Sequence, residues 1–208
     1  MYAGLEESVV TSAFPSHVRI RTQATSRDEY LSRPGSGERL RDADVAAIAR
    51  LTGSRSEPVL LVVSDGLNAN ALNEHLRALV PPLRHHLADA GCRASDVAVV
   101  IENGRVRAGY QVGEMSRAEL IVHLIGERPG TGLNTLSAYI TYGRNAGGGF
   151  RWTSSLDHAY TTAICGIHPS GKTPDAAATE IARVVSRALE ARASGVELTR
   201  GGSSMPRT

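Results

Sequence analysis

The sequence predicts an α/β layered domain with a mostly parallel central sheet flanked by helices. Two observations carry this. Pro58–Ser64 (PVLLVVS), Val97–Ile101 and Glu119–Ile125 (ELIVHLI) are short, nearly continuous apolar runs. Such runs suit strands buried on both faces of a sheet. Segments of helical period lie between and after the strands, and strands alternating with helices give a layered α/β fold.

Taken in order, residues 1–37 have weak periodicity, with Arg19–Thr22 as a short strand and Pro34–Gly37 as a loop. Leu40–Leu51 is an amphipathic helix stopped at Gly53. After the strand Pro58–Ser64, Asp65-Gly66 turns the chain, and Asn68 or Asn70 caps a helix over about 69–90. Pro81-Pro82 is expected to interrupt or kink that helix. Val97–Ile101 is followed by Asn103-Gly104, a strong hairpin signal, with Arg105–Ala108 as its return strand. A short helix at Gln111–Met115 leads to the strand Glu119–Ile125. The loop Gly126–Gly132 leads to a strand at Ala138–Tyr142. Gly143–His158, polar and carrying Gly147-Gly148-Gly149, reads as a mobile loop or insertion. Tyr160–Cys165 is a strand. Thr173-Pro174 opens a last helix, in which Ala177, Ile181, Val184, Val185 and Leu189 keep the helical period. The expected division is an N-terminal extension and linker at 1–39, an α/β domain at 40–199 and a disordered tail at 200–208.

Composition narrows the function classes. The 208 residues are 41% hydrophobic, enough for a core, and no apolar run approaches the roughly 20 residues of a membrane span. No secretory leader is expected at the start. Two cysteines cannot build a disulfide framework and suit a reducing compartment. With seven scattered histidines they also make a structural zinc site improbable. A net charge of +2 with 4% aromatics gives no nucleic-acid footprint.

Several motifs have competing readings. Gly166–Thr173 (GIHPSGKT) matches the phosphate-loop pattern, in which backbone amides cradle phosphates and a lysine reaches the outer one. A stand-alone nucleotide-binding protein using these residues is the runner-up function. Against it, the aspartate-bearing strand Leu60–Asp65 precedes the loop rather than following it, so a glycine loop capping the last helix is favoured. Ser64-Asp65 follows a buried strand, where α/β folds place binding residues. A turn with a helix cap is favoured there over a nucleophile. Glu127, in Gly126–Gly130 (GERPG), stands at the carboxyl end of another buried strand. Residue chemistry leaves a ligand contact and a structural Glu–Arg pair equally open. His85-His86 point in different directions on a helix and suit the surface. Cys92 and Cys165 flank apolar segments and are expected to be buried and inert.

An ordered set of segments goes further. It comprises Tyr30–Pro34 with Gly37–Leu40, Val63–Leu67, Pro81–Leu83, Gly104–Val106 with Gln111–Glu114, Leu124–Gly130, Ile167-His168 with Thr173-Pro174, and Ala193–Val196. Over about Asp28–Arg200 the chain resembles the small (light) subunit of ethanolamine ammonia-lyase. The resemblance implies a Rossmann-like domain at 40–199 that covers one side of adenosylcobalamin. It implies as partner a large subunit that carries the substrate site, in an enzyme converting ethanolamine to acetaldehyde and ammonia. Neither nucleic acid nor membrane is an expected partner. The expected location is cytoplasmic or a bacterial microcompartment, although the portion before the Arg33-Pro34 segment is shorter than is typical. A divergent corrinoid-binding module without lyase activity is a further alternative. The cofactor contacts implied by position are Val106, Glu127 and Ala163. Ala163 is a departure, since the family has cysteine there and the nearby Cys165 is two residues later. No catalytic residue or metal ligand is expected in this chain.

Overall fold

The computed structural model describes residues 4–51, 58–128, 132–145 and 147–201. Six strands form one sheet: β1 (His17–Arg21), β2 (Val59–Ser64), β3 (Ala98–Glu102), β4 (Leu120–Gly126), β5 (Leu136–Tyr142) and β6 (Thr161–Ile167). Their order across the sheet is β1-β3-β2-β4-β5-β6. The helices are α1 (Glu7–Ala13), α2 (Arg27–Ser32), α3 (Asp42–Leu51), α4 (Ala69–Asp89), α5 (Val106–Ser116), α6 (Pro174–Ala191) and α7 (Val196–Gly201).

The sheet is mixed, which corrects the expectation of a mostly parallel one. β1, β3, β2 and β4 run parallel, but β5 is antiparallel to both β4 and β6. The reason is the length of the connection. A parallel crossover takes a dozen or more residues, usually a helix, and only 127–135 join β4 to β5. β5 is nearly as buried as the parallel strands, so burial alone does not reveal its direction.

Each sheet face has its own core. Val59, Leu61, Val63, Leu120, Val122 and Leu124 point to a first face, where they pack with α1, α4 and α6. Leu60, Val62, Val99, Ile101 and Ile121 point to a second face, under Ile48 of α3 and Ala108 and Val112 of α5. The alternation follows from the two-residue period of strand side chains. α1 puts Val9, Ala13 and Phe14 into the first core, and β1 is the edge partner of β3.

Three local expectations change. α4 runs continuously through Pro81 and Pro82. Arg105–Ala108 is not a return strand. β3 is parallel to both its neighbours, and α5 starts at Val106. Asn103, with φ +56°, ends the strand in the left-handed conformation that asparagine tolerates. Gly104 then passes so close to Ser64 that a Cβ would collide with its hydroxyl. The Asn-Gly pair thus makes a strand-to-helix turn, and Ala108, Val112 and Met115 keep the helical period behind it. In the segment expected to be a loose loop, Trp152 is buried and its Nε1–H donates to the Ala118 carbonyl at 2.7 Å. Gly113 and Gly143 make room for its indole. Arg151 pairs with Glu197 of α7 at 2.9 Å. The sequence beyond Gly201 lies outside the described residues.

Candidate functional site

The path of the chain creates a crevice at the carboxyl ends of the central strands. From β2 it crosses to β3 through α4 on the first face, then to β4, on the other side of β2, through α5 on the second face. Where successive crossovers diverge in this way, the carboxyl ends of the strands leave an open crevice that suits a ligand. Ser64-Asp65, Gly104–Val106 and Gly126-Glu127 all converge there.

The floor of the crevice is polar. Asp65 Oδ1 accepts the Asn103 N–H at 2.7 Å. Burial pushes its carboxyl up to about 6, opposed by the Arg27 guanidinium and the amides of Asn103 and Gly104. Tyr30 is sandwiched between Arg27 and Arg105, whose guanidinium carbons stand 4.8 and 4.5 Å from its ring centre. Burial drives the Tyr30 phenol up to about 12. Ser64 Oγ and His123 Nε2 are 2.6 Å apart beneath the first turn of α5. Burial pushes His123 down to about 3, with the Val106 backbone opposing, so the ring stays neutral. Both side chains are sealed and a Cβ at Gly109 would collide with the imidazole. This serine–histidine pair therefore has no access for a substrate and serves as packing for the turn.

The sheet register sets the next layer. His123 of β4 is directly opposite Tyr139 of β5, which is directly opposite Ala163 of β6. Directly opposed residues share a face, so the three form one row on the second face. Val106 begins α5, and its backbone borders His123. Glu127 follows the last residue of β4, and its Oε1 accepts the Tyr139 hydroxyl at 2.7 Å. Ala163 and Cys165 are exposed on this face while Ile164 between them is buried. Val106, Glu127 and Ala163, far apart in sequence, thus border one surface. The sheet spacing of about 4.8 Å per strand puts His123 and Ala163 about 10 Å apart across that row. Among the described residues, no group of three or more His, Cys, Asp or Glu side chains is placed to hold a metal ion.

A family model for the ethanolamine ammonia-lyase light chain (EutC) matches residues 2–199. The chain belongs to this family. It is therefore the small subunit of a carbon–nitrogen lyase, and a light chain implies a heavy-chain partner. Among the described residues of this light chain, no helix is long and apolar enough to cross a membrane.

The phosphate-loop-like stretch of the light chain is closed on itself. His168 N–H donates to the Lys172 carbonyl, Gly171 N–H to the His168 carbonyl and Lys172 N–H to the Gly166 carbonyl. Ser170 N–H donates to His168 Nδ1 at 3.0 Å. A phosphate cradle needs those amides free. The lysine pairs with Glu180, and the Thr173 hydroxyl accepts from Ala176 N–H as the cap of α6. Cys92 is buried as expected, but Cys165 is exposed, because β6 is an edge strand and its second face has no helix over it.

Two neighbours of these positions are missed by reading motifs. His123 sits inside the apolar run ELIVHLI, and its pairing with Ser64 spans 59 residues of sequence. Tyr139 sits inside LSAYITY; its signal is that it stands at the position in β5 aligned with the row just described, which only the register reveals.

Proposed function

We propose that this light chain closes one side of an adenosylcobalamin site, with Val106, Glu127 and Ala163 facing the cofactor and the heavy chain carrying the ethanolamine site. The observation that carries this reading is that Tyr139 on the second face bonds to Glu127 and pairs beside Ala163, while Val106 borders the neighbouring His123. The core of β3, β2 and β4, with crossovers on opposite faces, is Rossmann-like in its path, which supports the same reading.

The residues present fit the group. Val106 is a half-buried apolar side chain at the crevice edge, suited to lie against a macrocycle. Glu127 is half-buried and offers a carboxylate to the amide N–H groups that fringe a corrin. Ala163 and its exposed neighbour Cys165 are small, so β6 presents a flat surface. Adenosylcobalamin, when bound, supplies the radical by cobalt–carbon homolysis, and the chain's own residues bind, orient and exclude water. Alanine at 163 serves as a backbone and surface contact, which does not require the family's thiol. The unpaired cysteines fit a reducing compartment, which supports a cytoplasmic or microcompartment setting for the complex.

The test is reconstitution. The purified light chain mixed with its heavy chain is expected to associate, to bind hydroxocobalamin and to deaminate ethanolamine only when adenosylcobalamin and both chains are present. Glu127→Ala is expected to weaken corrinoid binding about tenfold, as for one hydrogen bond to a charged group. Association without corrinoid binding, or binding indifferent to substitutions at both Val106 and Glu127, overturns the proposal.

A further inference from the structure

We infer that Tyr139 is a positioning residue for the corrinoid site: its phenol fixes the Glu127 carboxylate in the orientation that meets the cofactor. The inference rests on the cofactor-facing role proposed for Glu127, and it concerns a residue whose own place in the sheet is independent of that role.

Glu127 lies one residue beyond β4, at the start of the connection to β5. Its backbone is pinned, since its N–H donates to the Thr135 carbonyl at 2.9 Å. Its side chain, with three rotatable bonds and partial exposure, has no comparable restraint of its own. Among the described residues, the hydrogen bond to this carboxylate comes from Tyr139, at 2.7 Å. That is the length of a strong, charge-assisted bond. Tyr139 itself is held on β5 between His123 and Ala163, so a fixed sheet position is transmitted to a carboxylate just beyond the sheet. The phenol is a dependable donor. Burial raises its pKa, and the adjacent Glu127 raises it further, so it stays protonated across the physiological range.

The geometry also distributes the two carboxylate oxygens. Oε1 is engaged by the phenol, which leaves Oε2 to meet the cofactor. Removing the phenol frees the side chain to rotate, and binding then has to restore an ordering that the native protein has already made. Rotamer freedom lost on binding weakens affinity. Tyr139 thus acts through Glu127 rather than on the cofactor directly.

A double-mutant cycle on the assembled light–heavy complex tests this, with hydroxocobalamin as the probe and its visible spectrum as the readout. Tyr139→Phe keeps the ring and is expected to raise the corrinoid Kd about five- to tenfold with little change in Tm. Glu127→Ala is expected to raise Kd by at least as much. In the Glu127→Ala background Tyr139→Phe is expected to have no further effect, because its only route is through the missing carboxylate. Native affinity in Tyr139→Phe, or an equal loss in both backgrounds, overturns the positioning role while leaving the cofactor-facing reading of Glu127 intact. Unchanged affinity in Glu127→Ala overturns that underlying reading instead, and the inference with it. If Tyr139→Phe does not assemble, Tyr139→Met, an adaptable apolar replacement, carries the same expectations.

Discussion

The two halves of the sheet's second face are built from opposite chemistry. Over β1, β3, β2 and β4, helices α3 and α5 and the Trp152 indole bury a continuous apolar layer, with His123 and Ser64 sealed inside it. The seal extends to the amino end of β6, where the Tyr110 hydroxyl bonds to Thr161 at 2.6 Å and Thr161 bonds to Thr141 at 2.8 Å. Over the rest of β5 and β6, no helix among the described residues covers the exposed Ala163 and Cys165 and the half-buried Tyr139. The other face shows no such contrast, because α1, α4 and α6 cover it across both halves. A strand pair buried on one side and left open on the other suits an interface: the sealed half fixes positions, and the open half presents them.

The comparison can be broken most severely from inside the sealed half, through pH. The folded value of His123, about 3, lies below its ordinary 6.5. Its contribution to stability is therefore complete above about pH 6.5 and is lost as pH falls toward 3, with a limit of about 5 kcal/mol. Asp65 has the opposite sign. Its folded value, about 6, lies above the ordinary 3.8, so its contribution is complete below about pH 3.8 and is lost as pH rises to about 6. Urea unfolding from pH 4 to 7 is expected to show a flatter acid limb for His123→Gln. The same series should show Asp65→Asn gaining on the native chain as pH rises. Variant curves parallel to the native one would show that neither group is sealed.

Removing the plug is the next largest effect. Trp152→Ala deletes a buried indole that fills the space left by Gly113 and Gly143 and ties residues 143–160 to the end of α5. A loss of about 3–5 kcal/mol in unfolding free energy is expected, measured by denaturant titration. A loss below about 1 kcal/mol would mean that the segment is not part of the seal. The smallest effect belongs to the glycine loop after β6. Lys172→Ala removes an ion pair that is about one-third exposed on each side. It should cost less than about 1 kcal/mol. A millimolar nucleoside triphosphate should leave Tm unchanged in both proteins, whereas a rise that depends on Lys172 would restore a phosphate site at Gly166–Thr173.

Much of this was legible in the chain itself. The apolar runs Pro58–Ser64, Val97–Ile101 and Glu119–Ile125 marked buried strands because a strand covered on both faces needs no polar alternation, and they became β2, β3 and β4. The α6 helix was marked by its period and by Thr173-Pro174 at its start. The ordered motifs pointed to the light-chain family. Tertiary structure decided what depends on pairing at a distance. The direction of β5 depends on how far the short 127–135 connection reaches, which the strand's own residues do not encode. The turn at Asn103-Gly104 became the start of a helix because the close passage by Ser64 and the parallel neighbours of β3 outweighed a local hairpin preference. The row His123, Tyr139 and Ala163 exists only through strand register, since side chains that meet across a sheet carry no mark of their partners in sequence.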